Sequence, residues 1–457
     1  MSLIILLVAC VLFSYALINK PEIIAVLLFT LIIAAINFDL PGMPINSRAL
    51  IALALFGRII IDKSTQAKYP RFLNITIVRL LLLFQVYIIL IAFAQGIFKI
   101  DILKENIFNA IASFCVFHFF FKSYNASQLK LAVILSGLIC FADLAYTYIV
   151  FGTFPIHRIY YQFAGLGAGL SDEDLDAMAN WNFFGQICGI CFIYVFTDYI
   201  KYKPTNRHIL WLLPIMFLGV LMSTSRSALL AVVIISLLVI INGINYKEEK
   251  KRIYKIATFA VGAVTIGLLL FSVFGKYLNL DSKFLDEIMN RLSQEPIAIV
   301  KKALGQSYNI QELGSMDWRE ESSENAYSAY MNMSFMEQFF GIGVGGFEIR
   351  NIGQGYNAHN ALLLLLIENG ILGLFIYTVL IFATIFQSIL KKNISPSLAV
   401  VGFILIYGTG QNREWTSICT FLFVFCMVAE IQYLHIKKIS MRQKNHFTLS
   451  RVKASNS

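Results

Sequence analysis

Charged residues are scarce in this sequence. Of its 457 residues only 14% are charged, whereas 58% are hydrophobic. Because soluble proteins carry about 25% charged residues, this composition excludes an ordinary soluble domain. The hydrophobic residues also come in runs of roughly 17 to 23, the length that an α-helix needs to cross a bilayer core. The sequence therefore predicts an all-α fold, a polytopic bundle of transmembrane helices.

Several motifs that carry catalysis or cofactors are also missing. The sequence has no H-E-x-x-H zinc motif, no G-x-S-x-G elbow, no P-loop and no acidic metal-binding loop. All seven Cys fall within hydrophobic segments, and the one C-x-x-C pair, Cys188 and Cys191, lies inside a predicted span. Thiols in such positions are rarely redox or zinc sites. We therefore expect neither a metal nor another cofactor.

The hydrophobic runs predict about 12 to 14 spans. We divide the chain into an N-terminal transmembrane bundle (1–275), a large extracytoplasmic loop with short helices (276–358), C-terminal transmembrane helices (359–436) and a basic tail (437–457). Within the loop, helical patterns cover 284–292 and 326–340. The predicted spans are 2–18, 21–37, 45–61, 75–97, 106–121, 129–151, 181–200, 209–222, 226–243, 253–275, 371–390, 398–408 and 415–435.

The net charge of +10 comes from Lys and Arg in short connections and in the tail. Positive charge in short loops marks the cytoplasmic side of a membrane protein, so we expect no nucleic acid partner. This rule places the loops near 152–180 and 276–358 outside and the C-terminus in the cytoplasm.

Two ionisable residues, His359 and Glu368, interrupt a hydrophobic stretch where the large loop ends. Such residues at a membrane boundary are functional candidates. A single helix over 360–390 would be about 46 Å long, too long for the bilayer core. We therefore predict a short helix over 360–367, a turn at 368–370 and a span from 371. This turn could fold Glu368 back towards His359.

Each residue of this stretch has more than one interpretation. The imidazole of His359 titrates near neutral pH, so it is the best general-base candidate, although a polar cap at the interface is the alternative. Asn360 either orients that ring or caps the helix. Glu368 orients His359, binds substrate hydroxyls or caps the next span.

A second polar group, M-S-T-S-R-S-A at 222–228, forms a predicted external turn between two spans. Ser223, Thr224 and Ser225 are natural N-cap residues, and Arg226 opens the next helix. An Arg beside a helix N-terminus makes an anion site, although an Arg that reaches to lipid headgroups has the same signature. The glycine string G-I-G-V-G-G at 341–346 follows a helix rather than a strand, which favours a flexible or closely packed turn over a phosphate loop.

Together these residues resemble the O-antigen polymerase and O-antigen ligase superfamily of bacterial inner-membrane proteins. The resemblance rests on S-R-S-A at 225–228, G-I-G-V-G-G-F at 341–347, A-H-N at 358–360 and E-N-G-I-L-G at 368–373. It implies glycosyl transfer from an undecaprenyl-diphosphate-linked glycan on the outer face of the inner membrane, without metal or nucleotide sugar. His359 would then activate the acceptor hydroxyl. Arg226 and Arg319 would engage the diphosphate, with Arg291 as an alternative to Arg319.

Three functions remain open on the sequence. We favour a polymerase of lipid-linked O-antigen or capsule repeat units, with a possible chain-length regulator as partner. The alternative is a ligase that transfers finished polymer to the lipid A core. A polysaccharide transporter or flippase is a third possibility, and it predicts paired charges within the spans, for which Asp143 and Arg79 are the candidates.

Overall fold

A computed structural model describes residues 12–33, 47–65, 76–96, most of 107–119, 126–151, 181–202, 207–223, 225–274, 310–352, 360–389 and 394–408, together with 301 and 304. All regular structure within these ranges is helical, without a strand. The predicted all-α fold is therefore confirmed. The predicted helix over 284–292 lies outside the described residues.

The principal helices are numbered in chain order. They are α1 (Leu12–Asn19), α2 (Pro21–Ile33), α3 (Ser47–Thr65), α4 (Thr76–Ala94), α5 (Ala126–Phe151), α6 (Trp181–Lys201), α7 (Leu212–Met222), α8 (Arg226–Ile244), α9 (Lys247–Phe274), α10 (Ile310–Met331), α11 (Phe335–Phe340), α12 (Gly346–Ile349), α13 (Ala361–Ile389) and α14 (Pro396–Gly408). A 3-10 turn at Arg207–Trp211 precedes α7.

Helix α6 forms the centre of the bundle. It packs against α5, α7, α8 and α14, and nearly all of its described side chains are buried. The ring of Phe403 in α14 occupies the space beside Gly189, where a Cβ would lie 2.4 Å from a ring carbon. Small residues of this kind let transmembrane helices approach closely, which fits a bundle built from apolar helices.

Ion pairs join the helices at one end of this centre. Lys130 of α5 pairs with Asp198 of α6, and Lys201 pairs with Glu249 of α9 at 2.7 Å. Arg252 donates to the carbonyl oxygen of Ile200 at 2.7 Å. Gly185, near the opposite end of α6, packs against the turn before α8. The helices thus alternate in direction, as a polytopic chain requires.

Three described helical segments are long and apolar enough to cross a membrane: Gln128–Tyr146, Arg226–Ile244 and Leu362–Phe382. Helices α1 and α2 are bent by 115° relative to each other and count as a fourth span if they are taken as one. Shorter apolar helices cover Leu82–Ala94, Ile209–Met222 and Pro396–Gly408. The chain is thus a polytopic helical protein, and its total number of spans stays a prediction.

The structure tests two predicted helix boundaries. Gly370 has φ 65° and ψ −176°, so the helical path of α13 breaks there. The predicted turn is therefore confirmed at Gly370, whereas Glu368 and Asn369 are still helical. The single helix predicted over 326–340 is wrong. Helix α10 ends at Met331 and α11 begins at Phe335. Ser334 caps α11 through a reciprocal capping box with Glu337, which starts a new helix in a new direction.

Candidate functional site

The site is built around a crossing of two backbone segments, at Gly341 after α11 and at Gly370 within α13. Gly341 has φ 87°, and a Cβ there would lie 2.3 Å from the carbonyl oxygen of Glu368. A Cβ on Gly370 would lie 2.5 Å from the backbone nitrogen of Gly341. Both the positive φ and the close approach require glycine. The glycine string is therefore a closely packed turn, one of the two alternatives that its sequence left open.

Hydrogen bonds fasten the glycine string to the end of the first half of α13. The N–H of Ile342 donates to the carbonyl oxygen of Ile367 at 3.1 Å, and the N–H of Gly343 donates to that of Glu368 at 2.8 Å. The Glu368 side chain, only 2% exposed, accepts from the N–H of Gly345 at 2.8 Å. Glu368 thus holds the turn in place with both its backbone and its carboxylate.

Two side chains complete the crossing: Tyr87 of α4 and Gln95, which directly follows α4. The Tyr87 hydroxyl lies 2.8 Å from the carbonyl oxygen of Phe340 and 2.7 Å from that of Asn369, so it bridges the two segments. The amide of Gln95 donates to the carbonyl oxygen of Gly341 at 3.0 Å. Sequence reasoning missed both residues, because they lie about 250 positions from their partners and carry no local motif.

Asn360 caps the N-terminus of α13. Its side-chain oxygen accepts from the N–H of Leu362 at 3.0 Å and from that of Leu363 at 3.2 Å. Of the two roles predicted for Asn360, the cap is therefore confirmed. His359 directly precedes this cap but lies outside the described residues, so its predicted approach to Glu368 stays a prediction.

Ser225 and Arg226 lie in a second group, at the start of α8. Arg226 is the first helical residue, as predicted, and it is half-buried. Ser225 occupies the N-cap position and is fully buried, yet its hydroxyl lies 3.4 Å from that of Ser227 and makes no capping bond to the helix. The predicted N-cap position of Ser225 is therefore confirmed, but its side chain makes no capping hydrogen bond. Gly185 leaves room for this turn, since a Cβ there would lie 2.7 Å from that of Ser225.

The remaining predicted cations are placed only in part. Arg319 belongs to α10, although its side chain lies outside the described residues, and Arg291 lies outside them altogether. Another cation of the loop is Arg350, whose guanidinium lies 2.6 Å from the Glu337 carboxylate. Hydrogen bonds from Arg350 and Ser334 lower the pKa of Glu337 to about 2. Arg350 thus serves to fix α11.

The two charges considered for a transporter differ in their surroundings. Asp143 of α5 is only 1% exposed, and both of its carboxylate oxygens are without a hydrogen-bond partner among the described residues. Arg79 of α4 is exposed. A third polar group, the Asn369 amide, is fully buried beside Gly373, and within the described ranges neither of its polar atoms has a hydrogen-bond partner.

The segment that contains the backbone crossing and the start of α8 matches a known family. Residues 211–378 match the family model described as O-antigen ligase. This segment is similar to the O-antigen ligase family. The predicted resemblance to the O-antigen polymerase and ligase superfamily is confirmed, and the match supports a function of that general type. No curated protein matches the chain significantly.

The matched segment includes Ser225, Arg226, Asn360 and Glu368, but it is less than half of the chain. Tyr87 and Gln95 lie outside it. The N-terminal helices therefore contribute directly to the crossing that holds the matched residues in place.

Proposed function

We propose that the protein is a glycosyltransferase of the bacterial inner membrane that polymerises undecaprenyl-diphosphate-linked oligosaccharide repeat units of O-antigen or capsule. The observation that carries the proposal is the family match over 211–378, which contains all seven predicted site positions: Ser225, Arg226, Arg291, Arg319, His359, Asn360 and Glu368. The fixed crossing at Gly341 and Gly370 supports it, because it joins the glycine string and the buried Glu368 within that matched segment.

The proposed reaction is a direct displacement at the anomeric carbon of the donor. His359 accepts the proton of the attacking sugar hydroxyl, whose oxygen forms the new bond to that carbon. The bond from the anomeric carbon to the diphosphate oxygen breaks, and its electron pair leaves with the diphosphate. Arg226 and Arg319 stabilise the charge that develops there. In-line attack inverts the anomeric centre. The reaction takes place on the periplasmic face, with the C-terminus in the cytoplasm.

The test uses a strain that lacks the gene and displays its surface glycans on a gel. Loss of a polymerase leaves the lipid A core with a single repeat unit, whereas loss of a ligase leaves bare core and polymer on the lipid carrier. Loss of a transporter traps precursor on the cytoplasmic side. The proposal expects the first pattern, and either of the other two would refute it.

Complementation with variants then tests the proposed base. His359→Ala should leave the single-repeat pattern at a normal protein level. His118→Phe is the matched control, since His118 is half-buried between the rings of Phe114 and Phe119 and a phenyl ring preserves those contacts. Full polymer synthesis by His359→Ala would show that the imidazole has no part in the reaction.

The ligase remains the second candidate, because the matching family model is described as O-antigen ligase. The two functions share donor chemistry and differ in the acceptor, which is a lipid-linked glycan for the polymerase and the lipid A core for the ligase. An assay of the purified protein, with the same donor and one acceptor at a time, shows which acceptor receives the glycan and so distinguishes the two functions.

A further inference from the structure

The short helix α11 shows an unusual division of its surface. Phe335 is 75% exposed and Met336 is 60% exposed. The polar side chains of the same helix have partners within the protein: Glu337 bonds Ser334 and Arg350, and Gln338 donates to the carbonyl oxygens of Tyr330 and Met331 at 3.1 Å each. A helix in water has its polar side facing solvent. Here the outward residues are apolar.

The hydrogen bonds from α4 and the residue that follows it fix the position of α11 along the bundle. Tyr87 reaches Phe340, the last residue of α11, and Gln95 reaches the next residue. This stretch of α4 exposes Leu90 and Phe93, with exposed fractions of 60% and 50%. The C-terminal end of α11 is therefore held next to the part of α4 that exposes these apolar side chains.

Helix α13 borders α11 on another side and is also apolar on its surface. α11 packs against α13, whose residues Ile371 and Phe375 are exposed and closely follow the break at Gly370. These two residues belong to Leu362–Phe382, one of the segments long and apolar enough to cross a membrane. The apolar face of α11 thus lies among surfaces that such helices turn towards lipid.

The irregular backbone after α11 is hydrogen-bonded in the way that a nonaqueous environment requires. The N–H groups of Ile342, Gly343 and Gly345 donate to Ile367 and Glu368, and the carbonyl oxygen of Gly341 accepts from Gln95. Non-helical backbone is tolerated at membrane depth only where protein groups satisfy it. The turn is buried within the protein and meets this requirement.

We infer that α11 is an interfacial segment, in which Phe335 and Met336 contact the acyl chains of the bilayer. The segment enters the leaflet that contains the C-terminal end of α4. The Glu337–Arg350 pair stays at the headgroup level, where partly exposed charged groups are stable. The inference does not rest on the proposed glycosyltransferase function.

The test measures collision rates of a nitroxide label in the full-length protein, reconstituted in phospholipid vesicles without any glycan donor. Phe335→Cys carries the label, and Leu90→Cys and Glu324→Cys are the reference sites on an apolar helix face and on a polar helix face. Oxygen collides with labels in lipid, whereas a nickel chelate collides with labels in water. Labelling of the parent protein measures the background from native Cys, of which Cys115, Cys140, Cys188 and Cys191 are buried.

We expect the label at 335 to give an oxygen-to-nickel ratio close to that at Leu90→Cys and well above that at Glu324→Cys. Met336→Cys is the second site if Phe335→Cys does not fold, with the same expectation. A ratio at 335 or 336 equal to that at Glu324→Cys would place α11 in water and overturn the inference. Because no donor is present, a high ratio reports bilayer lipid and not a bound polyprenyl chain.

Discussion

Gly341 and Gly370 approach each other so closely that neither position has room for a methyl group. A Cβ on Gly341 would lie 2.3 Å from the carbonyl oxygen of Glu368, and one on Gly370 would lie 2.3 Å from that of Phe339. The obstructing atoms belong to the backbone, which cannot move aside as a flexible side chain can. The two glycines therefore fix how the large loop meets α13.

We predict that Gly341→Ala and Gly370→Ala each lower the free energy of unfolding by about 3 kcal/mol or more. Their positive φ with ψ near 180° alone costs an L-residue about 1–3 kcal/mol, and the clash with backbone adds to it. Both variants should also lose polymer synthesis. Gly262→Ala is the control, because a Cβ there meets no atom within 4 Å. Thermal melting in detergent measures the effect. Wild-type melting of both crossing variants would show that the crossing is absent in the protein.

The Glu368 carboxylate gives a prediction that separates its possible roles. Glu368→Gln keeps an oxygen acceptor for the N–H of Gly345, whereas Glu368→Ala leaves that buried N–H unpaired, at a cost of about 1–3 kcal/mol. If Glu368 positions the turn, the Gln variant retains most polymer synthesis and the Ala variant loses it. If Gln is as inactive as Ala but melts like the wild type, the negative charge itself is required, as an interaction with His359 would demand.

Tyr87→Phe should weaken the same crossing from the other side. The substitution removes the hydroxyl that bridges the carbonyl oxygens of Phe340 and Asn369, which costs about 1–3 kcal/mol for buried acceptors left unpaired. We expect a lower melting temperature and shorter polymers. Tyr254→Phe is the control, since Tyr254 is 62% exposed. Equal melting temperatures for the two variants would show that the Tyr87 hydroxyl does not stabilise the crossing.

The Glu337–Arg350 pair predicts a dependence of stability on pH. Because the pKa of Glu337 falls from 4.5 to about 2 on folding, the pair stabilises the protein above pH 4.5, and this contribution is lost as the pH falls towards 2. For a partly exposed pair it amounts to about 0.5–1 kcal/mol. Glu337→Gln should therefore lower the melting temperature at pH 7, with a smaller difference from the wild type at pH 3. Glu324→Gln, at an exposed position, should show no such trend.

Local signals in the sequence were sufficient for some parts of the site. The break at Gly370 follows from a helix too long for the bilayer and from the Asn-Gly pair, and the cap at Asn360 follows from its side-chain chemistry. The start of α11 also carries a local signal in the sequence. Ser334 and Glu337 have the S-x-x-E spacing of a capping box, which identifies a new helix.

Other parts depend on contacts that no local pattern encodes. Tyr87 sits in an apolar helix where an aromatic residue is ordinary, and its importance comes only from the two carbonyl oxygens that the fold brings to it. The same holds for Gln95. The Ser225 hydroxyl has the chemistry of a cap, yet it faces another hydroxyl and not the helix N–H groups. Tertiary packing decided these cases.

The bridge from Tyr87 has a consequence for protein engineering. An exchange of residues 211–378 between two relatives would transfer both halves of the backbone crossing but leave its tyrosine and glutamine supports behind in the N-terminal helices. Such a chimaera would inherit the recipient's side chains at those positions and would need compatible ones to assemble. Compatibility with α4, and not only the identity of the exchanged segment, therefore sets which specificity swaps yield a working protein.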